Sequence, residues 1–574
     1  MNNALEIASC APLCNLPPAL INLSRSRKKE SFGQSVKTSM GTLSFLTFAL
    51  AANMNGDYLI TSTSVIGPAG AVGDYAARGH EYFEVYSPPI TSQYGETFWT
   101  KMDDVPLPKE IVERFADGVI AVTGYEMDQV TDDGLSIGYN RVYNHHYGAF
   151  LIGAGSSLRK MPCGLRDYHM GCMMNGEPSM WMAVSHDPNE DVPSSQFFSE
   201  GNGGESRKSF HGYPDGYAQL VARPRNFSLF PMQIDTWNRD TPVHNHDYVA
   251  GPLPRAAQSP PGSVYSGLLE CPCTDRMTKV NGSICSLEGG CWKWPSTAGQ
   301  SITGDFCPDE PLSQLKAVGN RICSLETYPG GQMCCPHKAR LLDKDQDPWP
   351  GKLLTYRMKF RFWFQPWRPP AAVAARLHPA RLGAPNPPAA ASHANLVRFY
   401  WQTESFAGEY DIPRGADSLG HDRGATTYSE AEGYVYTIAS EWPAADTVWG
   451  CDPTRKKCVP DGTNGFELVY AGGHCHAPNC ISLELTIKET GELLCLQRSV
   501  WGNGSFTDPF DDKGYSTLPP CLWGRDGEGG GLALSPRPRV PLNATLRSVC
   551  RQNSTIGHYG QMASWQMRGV FYYD

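Results

Sequence analysis

Long apolar runs are missing from almost all of this 574-residue sequence. The one candidate, GTLSFLTFALAANMNG from Gly41 to Gly56, is shorter than the ~20 residues a bilayer-crossing helix needs. Positive charge is also in short supply. Lys and Arg number 49 against 58 Asp and Glu, giving a formal net charge of −9 and a pI near 5.9. That balance excludes nucleic acid as a partner and argues against a polybasic membrane patch. Few segments keep a 3.6-residue apolar period for long, which argues against a helical protein. A P-loop, a dinucleotide fingerprint and a GxSxG elbow are all absent; GNGGES at Gly201–Ser206 lacks the strand-to-helix setting such motifs need.

What is present is turn-forming and aromatic. Gly (58) and Pro (46) punctuate the chain, and aromatic residues make up 11%. This composition suits short strands joined by many turns, in a chain long enough for two or three domains. The 19 cysteines exceed what a reduced cytosolic protein carries. Asn-x-Ser/Thr acceptors stand at Asn22, Asn226, Asn281, Asn503, Asn543 and Asn553. Together they favour an oxidising secretory route, with a cytosolic zinc protein as the alternative. Residues 1–57 read as a leader. Basic LSRSRKKESFGQSVKTSM precedes the apolar run, and Ala49, Ala51 and Ala52 offer small residues for cleavage. The run lies some way into the chain, so either Met40 is the start or the leader is unusually long. The expected mature product is secreted, with no stable membrane span.

Residues 58–250 read as a first β-rich domain, with YFEVYSPPI, GVIAVTGYEMDQV and GAFLIGAG at strand length. Residues 251–345 carry eight cysteines from Cys271 to Cys335 and read as a disulfide-stapled insert. A zinc module is the other option, because Cys271 and Cys273 and the pair Cys334 and Cys335 stand at its ends. Residues 346–574 return to strands and form a second β domain. An Ala/Pro-rich surface insertion at 371–393 interrupts it, too simple in composition to bury core. The fold expected is all-β, two tandem jelly-roll-like β-sandwich domains with a cysteine-rich insert. Cys163 with Cys172, and Cys451 with Cys458, are local disulfide candidates. Of Cys475, Cys480, Cys495, Cys521 and Cys550 one is left over, with Cys475 either the odd thiol or joined to Cys480.

GGHCHAPNC sets His474 and His476 at i and i+2, on one face of a strand, so both imidazoles can reach one ion. Cys475 then points the other way. YNHHYGAFLIG carries adjacent His145 and His146, which face opposite ways on a regular strand but can converge at a twisted strand end. His558, Met562 and Met567 surround the closing strand, and thioether sulfur is a soft donor suited to reduced copper.

Paired HH, then HxH, then a terminal Met before an aromatic strand resembles the copper type II, ascorbate-dependent monooxygenases of the peptidylglycine and dopamine hydroxylating type. The resemblance implies two sandwiches with one copper each. His145 and His146 match the first site, and His474, His476 and Met567 match the second. Where the first site should have a third histidine, FPMQIDT places Met232; His211, His244 and His246 are substitutes that only a fold could bring near. A second resemblance, to the stress up-regulated nodulin (SURNod) family, spans roughly 130–574. Its motifs are GGESRK at Gly203, YPDGYA at Tyr213, QIDT at Gln233, ECPC at Glu270, YPGGQMCC at Tyr328 and the closing MRGVFYYD. The activity implied is hydroxylation of a C–H bond with O2 and an ascorbate-type reductant, on a small-molecule or peptide-like substrate. Gly472, Gly569 and Phe571 stand where peptide-amidating enzymes clamp a substrate carboxylate, so a glycine-extended peptide is not expected. The alternative is a non-catalytic metal-binding or structural glycoprotein.

Overall fold

The computed structural model describes, with brief interruptions, residues 79–162, 179–200, 210–235, 279–292, 353–368, 393–402, 410–415, 424–447, 459–501, 516–523 and 533–573. Among them the chain is all-β, built from several sheets that pack as sandwiches, with one short α-helix at Lys109–Arg114.

The first sandwich uses β1 (Glu81–Tyr86), β2 (Thr97–Trp99), β3 (Val119–Val130), β4 (Val142–Gly153), β5 (Ser195–Glu200), β6 (Tyr217–Ala222), β7 (Pro224–Asp235) and β8 (Leu354–Trp367). One sheet runs β1-β8-β3-β6 and the other β2-β7-β4-β5. The sequence of β8, LTYRMKFRFWFQPW, alternates strictly, so Tyr356, Met358, Phe360, Phe362 and Phe364 fall on one side. They meet Phe83 from β1, Tyr125 and Met127 from β3, and Phe198 and Phe227 from the opposite sheet. Each buried aromatic contributes about 2–3 kcal/mol. On the other side, Lys359 (Nζ–O 3.2 Å) and Arg361 (Nε–O 2.9 Å) converge on Glu84 of β1.

This pairing moves a boundary. Residues from 346 onward were expected to begin the second domain, yet β8 lies between β1 and β3 in the first sandwich. Ala394–Asn395 also pairs with β6. The first sandwich is therefore closed by strands that follow the cysteine-rich region. The Ala/Pro-rich tract stands between β8 and this edge pair, where one sandwich gives way to the next. It does not interrupt the second domain. The physical reason is that β3 is buried along nearly its whole length and needs a long apolar partner on each edge.

The second sandwich comprises β9 (Val397–Gln402), β10 (Gly433–Pro443), β11 (Gly465–Cys475), β12 (Cys480–Ile487), β13 (Glu492–Arg498), β14 (Thr545–Asn553) and β15 (Ala563–Tyr572). One sheet orders β9-β15-β11 and the other β10-β14-β12-β13. Polar links join the two layers inside the core: Trp565 Nε1 donates to Ser548 Oγ (2.8 Å) and Trp401 Nε1 to Ser440 Oγ (3.0 Å). Disulfides Cys475–Cys480 and Cys495–Cys521 staple strands beside this core. Cys475 is thus paired, and Cys550 is the cysteine outside both bonds.

Short strands Lys279–Val280, Ser283–Ser286 and Gly290–Trp292 form a three-stranded antiparallel sheet within the cysteine-rich region. The disulfide candidates Cys163, Cys172, Cys271, Cys273, Cys334, Cys335, Cys451 and Cys458 lie outside the described residues, as do the leader, Asn281 and Asn503. Asn543 occupies an exposed turn, whereas Asn226 and Asn553 are half-buried within paired strands. Among the described residues no helix is long and apolar enough to cross a membrane.

The placement of β8 has a direct consequence. Phe362→Ala should cost about 3–5 kcal/mol and raise amide hydrogen exchange in β3 and β4 while leaving β14 unchanged. Faster exchange in β14 instead would return β8 to the second domain.

Candidate metal centre

In β4 the inward positions change parity. Val142 and Asn144 face the core before His145, and Tyr147, Ala149 and Leu151 face it afterwards. The ladder shows why: Gln233 of β7 pairs with Asn144 and Met232 with His146, leaving His145 as an extra residue. This is a β-bulge, in which two residues oppose one. It turns both imidazoles to the same outer face, which regular alternation forbids. Ring contacts agree: Tyr143 lies 5.8 Å from His145, His145 5.3 Å from His146, and Trp99 5.7 Å from His146. Beneath the bulge a buried amide chain holds the backbone. Gln129 Nε2 donates to Gln233 Oε1 (2.5 Å), and Gln233 Nε2 donates to Asn144 Oδ1 (2.5 Å). Met232, fully buried, is the cross-strand partner of His146 and of Trp99, and so shares the histidines' face.

In the second sandwich, β11 and β15 pair in regular register from Tyr470 to Cys475. Ala471 faces Met567, Gly472 faces Gln566, and His474 faces Ser564. Odd positions of β11 and β15 (Ala471, Cys475, Ala563, Trp565, Met567) lie in the sandwich core. Even positions (Tyr470, His474, Ser564, Gln566, Arg568) lie on the outer face. Met567 and His474 therefore stand on opposite faces of one sheet. The expected grouping of Met567 with His474 does not form, because the two differ in strand parity. Met562 is buried and stands just before β15, outside its ladder with β11. His476 lies outside the described residues.

The outer faces of β4-β5-β7 and β9-β11-β15 pack against each other. Ser199 Oγ donates to Gln566 Oε1 (2.8 Å), and Arg568 Nη2 donates to the Phe197 carbonyl (3.3 Å). Tyr470 meets His211 and Tyr213 of the first sandwich. This packing brings His146 within electrostatic reach of His474. His145 is held near a pKa of about 4 by burial. His146 is pushed well below the ordinary histidine range, first by burial and then by the neighbouring His145 and His474. Both rings are thus neutral at pH 7, the form in which imidazole binds a metal. His146 Nε2 is buried without a hydrogen-bond partner in the protein, as expected of an atom aimed at an ion.

His145, His146 and Met232 fit a soft-to-borderline metal such as copper. His474 is the candidate donor on the facing sheet. The three described histidines do not close to one ion's coordination distance. Among the described residues, the one group of three ligand atoms mutually within 4.8 Å is the sulfur set of Cys475, Cys480 and Cys550, two of which form a disulfide. The arrangement is two facing half-sites. His211 does not join them directly; it stacks on Tyr125 (4.4 Å). His244 and His246 lie outside the described residues. The bulge is the feature that sequence reasoning missed, because it depends on strand register.

No family model and no curated protein matches this chain.

In the metal-free chain an unfolded imidazole titrates near 6.5 and folded His145 near 4. Its contribution to stability is complete above pH 6.5, declines as pH falls from there toward 4, and changes no further below. The interval corresponds to roughly 3 kcal/mol. Urea midpoints should fall across that window, and His145→Gln should flatten the fall. An unchanged slope in the variant would mean that His145 is not buried neutral.

Proposed function

We propose that this chain is a copper-binding protein of the ascorbate-dependent monooxygenase type, related to the stress up-regulated nodulin proteins and carried through the secretory route. The observation that carries the reading is the bulge at His145. It turns His145 and His146 outward beside Met232 and toward His474 of the second sandwich. The disulfides and the exposed sequon at Asn543 support the secretory part.

Bound copper would supply one-electron redox chemistry with O2, using an ascorbate-type reductant. The chain's own contribution is positional. Burial keeps the imidazoles neutral, the Gln129–Gln233–Asn144 amide chain fixes the bulge, and the sandwich junction excludes water around both half-sites. The substrate would be a small molecule or a peptide-like chain bearing an unactivated C–H bond.

A second reading, a non-catalytic metal-binding glycoprotein, is favoured by one specific feature. Met567 packs in the core, and the junction covers His474 to 2% exposure.

Elemental analysis of the secreted chain should find about two coppers, with one lost in His146→Ala and one in His474→Ala. Met232→Leu should weaken Cu(I) retention about tenfold or more, whereas Met567→Leu should leave it intact. Ascorbate-dependent O2 uptake that disappears in both histidine variants supports the enzyme. Copper without such uptake leaves the binder, and no copper ends both readings.

A further inference from the structure

Three sulfur atoms meet in the core of the second sandwich. Cys475 closes β11 in one sheet, Cys480 opens β12 in the other, and their disulfide joins the two layers. Cys550 lies in β14, the strand beside β12, and belongs to neither described disulfide. The three Sγ atoms all lie within 4.8 Å of one another, and each residue is 5% exposed or less. Among the described residues, the Cys495–Cys521 bond has no third sulfur so placed. The corner beside the cluster is short of hydrogen bonds. Asn479, next to Cys480 in the chain, is 2% exposed, and both ends of its side-chain amide are buried without a hydrogen-bond partner. Burying an unpaired amide costs free energy, a cost relieved when the connection opens to water.

We propose that Cys550 is the resolving thiol of a disulfide switch, exchanging with Cys475–Cys480 and unclamping the β11–β12 connection. The Cys550 thiolate attacks Cys475 Sγ. A Cys475–Cys550 bond forms, the Cys475–Cys480 bond breaks, and Cys480 leaves with the electron pair. The proton given up by Cys550 ends on Cys480. One disulfide and one thiol stand on each side of the step, so no oxidant or reductant is consumed. A hydrogen bond donated by the Cys550 S–H leaves the sulfur lone pairs available for attack. Geometry selects Cys475 as the sulfur attacked. Cys480 is opposite Gln552 on β14, so Cys550 stands on the diagonal, about 7–8 Å away between Cα atoms. A disulfide spans only about 4.4–6.8 Å. Cys475 instead reaches β14 from the facing sheet, and a bond there keeps the two layers joined. The ring closed by Cys475 and Cys480, five residues apart in sequence, then opens. It carries His476 and Asn479 and begins beside His474. On the proposed function, on which this consequence rests, exchange loosens the second half-site's hold on its metal.

The exchange requires no metal, so the test uses the full chain after chelator treatment. Samples held at about pH 5 and about pH 8.5, where thiolate forms, are unfolded in acid, alkylated with a maleimide and digested without reduction. Mass spectrometry then maps the disulfide peptides. A Cys475–Cys550 peptide, with Cys480 alkylated, should accumulate at the higher pH while the total thiol count stays constant and Cys495–Cys521 stays intact. Cys550→Ala should remove that peptide and keep Cys475–Cys480 whole. Recovery of Cys475–Cys480 alone at both pH values rules the switch out, as does alkylated Cys480 in Cys550→Ala. If Cys550→Ala does not fold, Cys480→Ala decides: Cys475 and Cys550 should close a bond of their own, and two alkylated thiols would overturn the proposal. Amide hydrogen exchange in residues 476–479 should rise about tenfold or more in the exchanged form; an unchanged rate would mean that nothing is unclamped. A chain that takes up no copper yet exchanges its disulfide would leave the switch standing and the monooxygenase reading overturned, and copper uptake without exchange would do the reverse.

Discussion

A single inserted residue in β4 sets the direction in which the paired histidines point. Two consecutive side chains on a regular strand diverge, and a site made from adjacent histidines would be impossible there. At His145 the ladder with β7 skips one position, and both imidazoles turn outward. The distortion is not left unsupported. The Gln129–Gln233–Asn144 amides lie directly below it, each fully buried and hydrogen-bonded to the next, so closing the bulge would break these buried bonds inside the core. The outward face then meets the outward face of β11 and β15, and both half-sites lie along that contact.

The junction is polar in composition and dry in setting, a combination that costs free energy unless its groups are used. Histidines held neutral, a cross-strand arginine pair, and the Ser199–Gln566 hydrogen bond all lie on it. An interface serving only to hold two sandwiches together would be cheaper to build from aliphatic side chains. A low dielectric strengthens each electrostatic contact that a ligand could complete. The same closure limits access to His474, so any ligand that reaches it needs the two outer faces to separate at least locally. Catalysis would make that demand at every turnover, metal storage only on loading.

Much of the architecture was legible in the sequence, since strand alternation is a local signal. The pattern Leu354–Trp367 announces a half-buried strand whatever its partner. Which sandwich it joins is not local: the same alternation fits either domain, and only pairing with β1 and β3 decides. Register is hidden for the same reason. Met567 falls on the core side of its sheet, opposite His474, but nothing in QMASWQMRG reveals that. The HxH motif suggested a ligand pair because i, i+2 geometry needs no partner strand, although His476 lies outside the described residues. The shared face of His145 and His146 was hidden, because a bulge is a property of two strands. Cys475 was legible as either lone or paired, and its bond to Cys480 at the start of β12 resolved it.

The proposed function requires the two half-sites to face one another across one closed junction. Electron paramagnetic resonance of the chain loaded with Cu(II) tests this most directly, through the magnetic dipolar interaction between the bound ions. The account predicts a spectrum broadened by coupling between neighbouring coppers, which reverts to an isolated copper signal in His474→Ala. Two uncoupled copper signals in the wild type, or a spectrum untouched by the substitution, would contradict it.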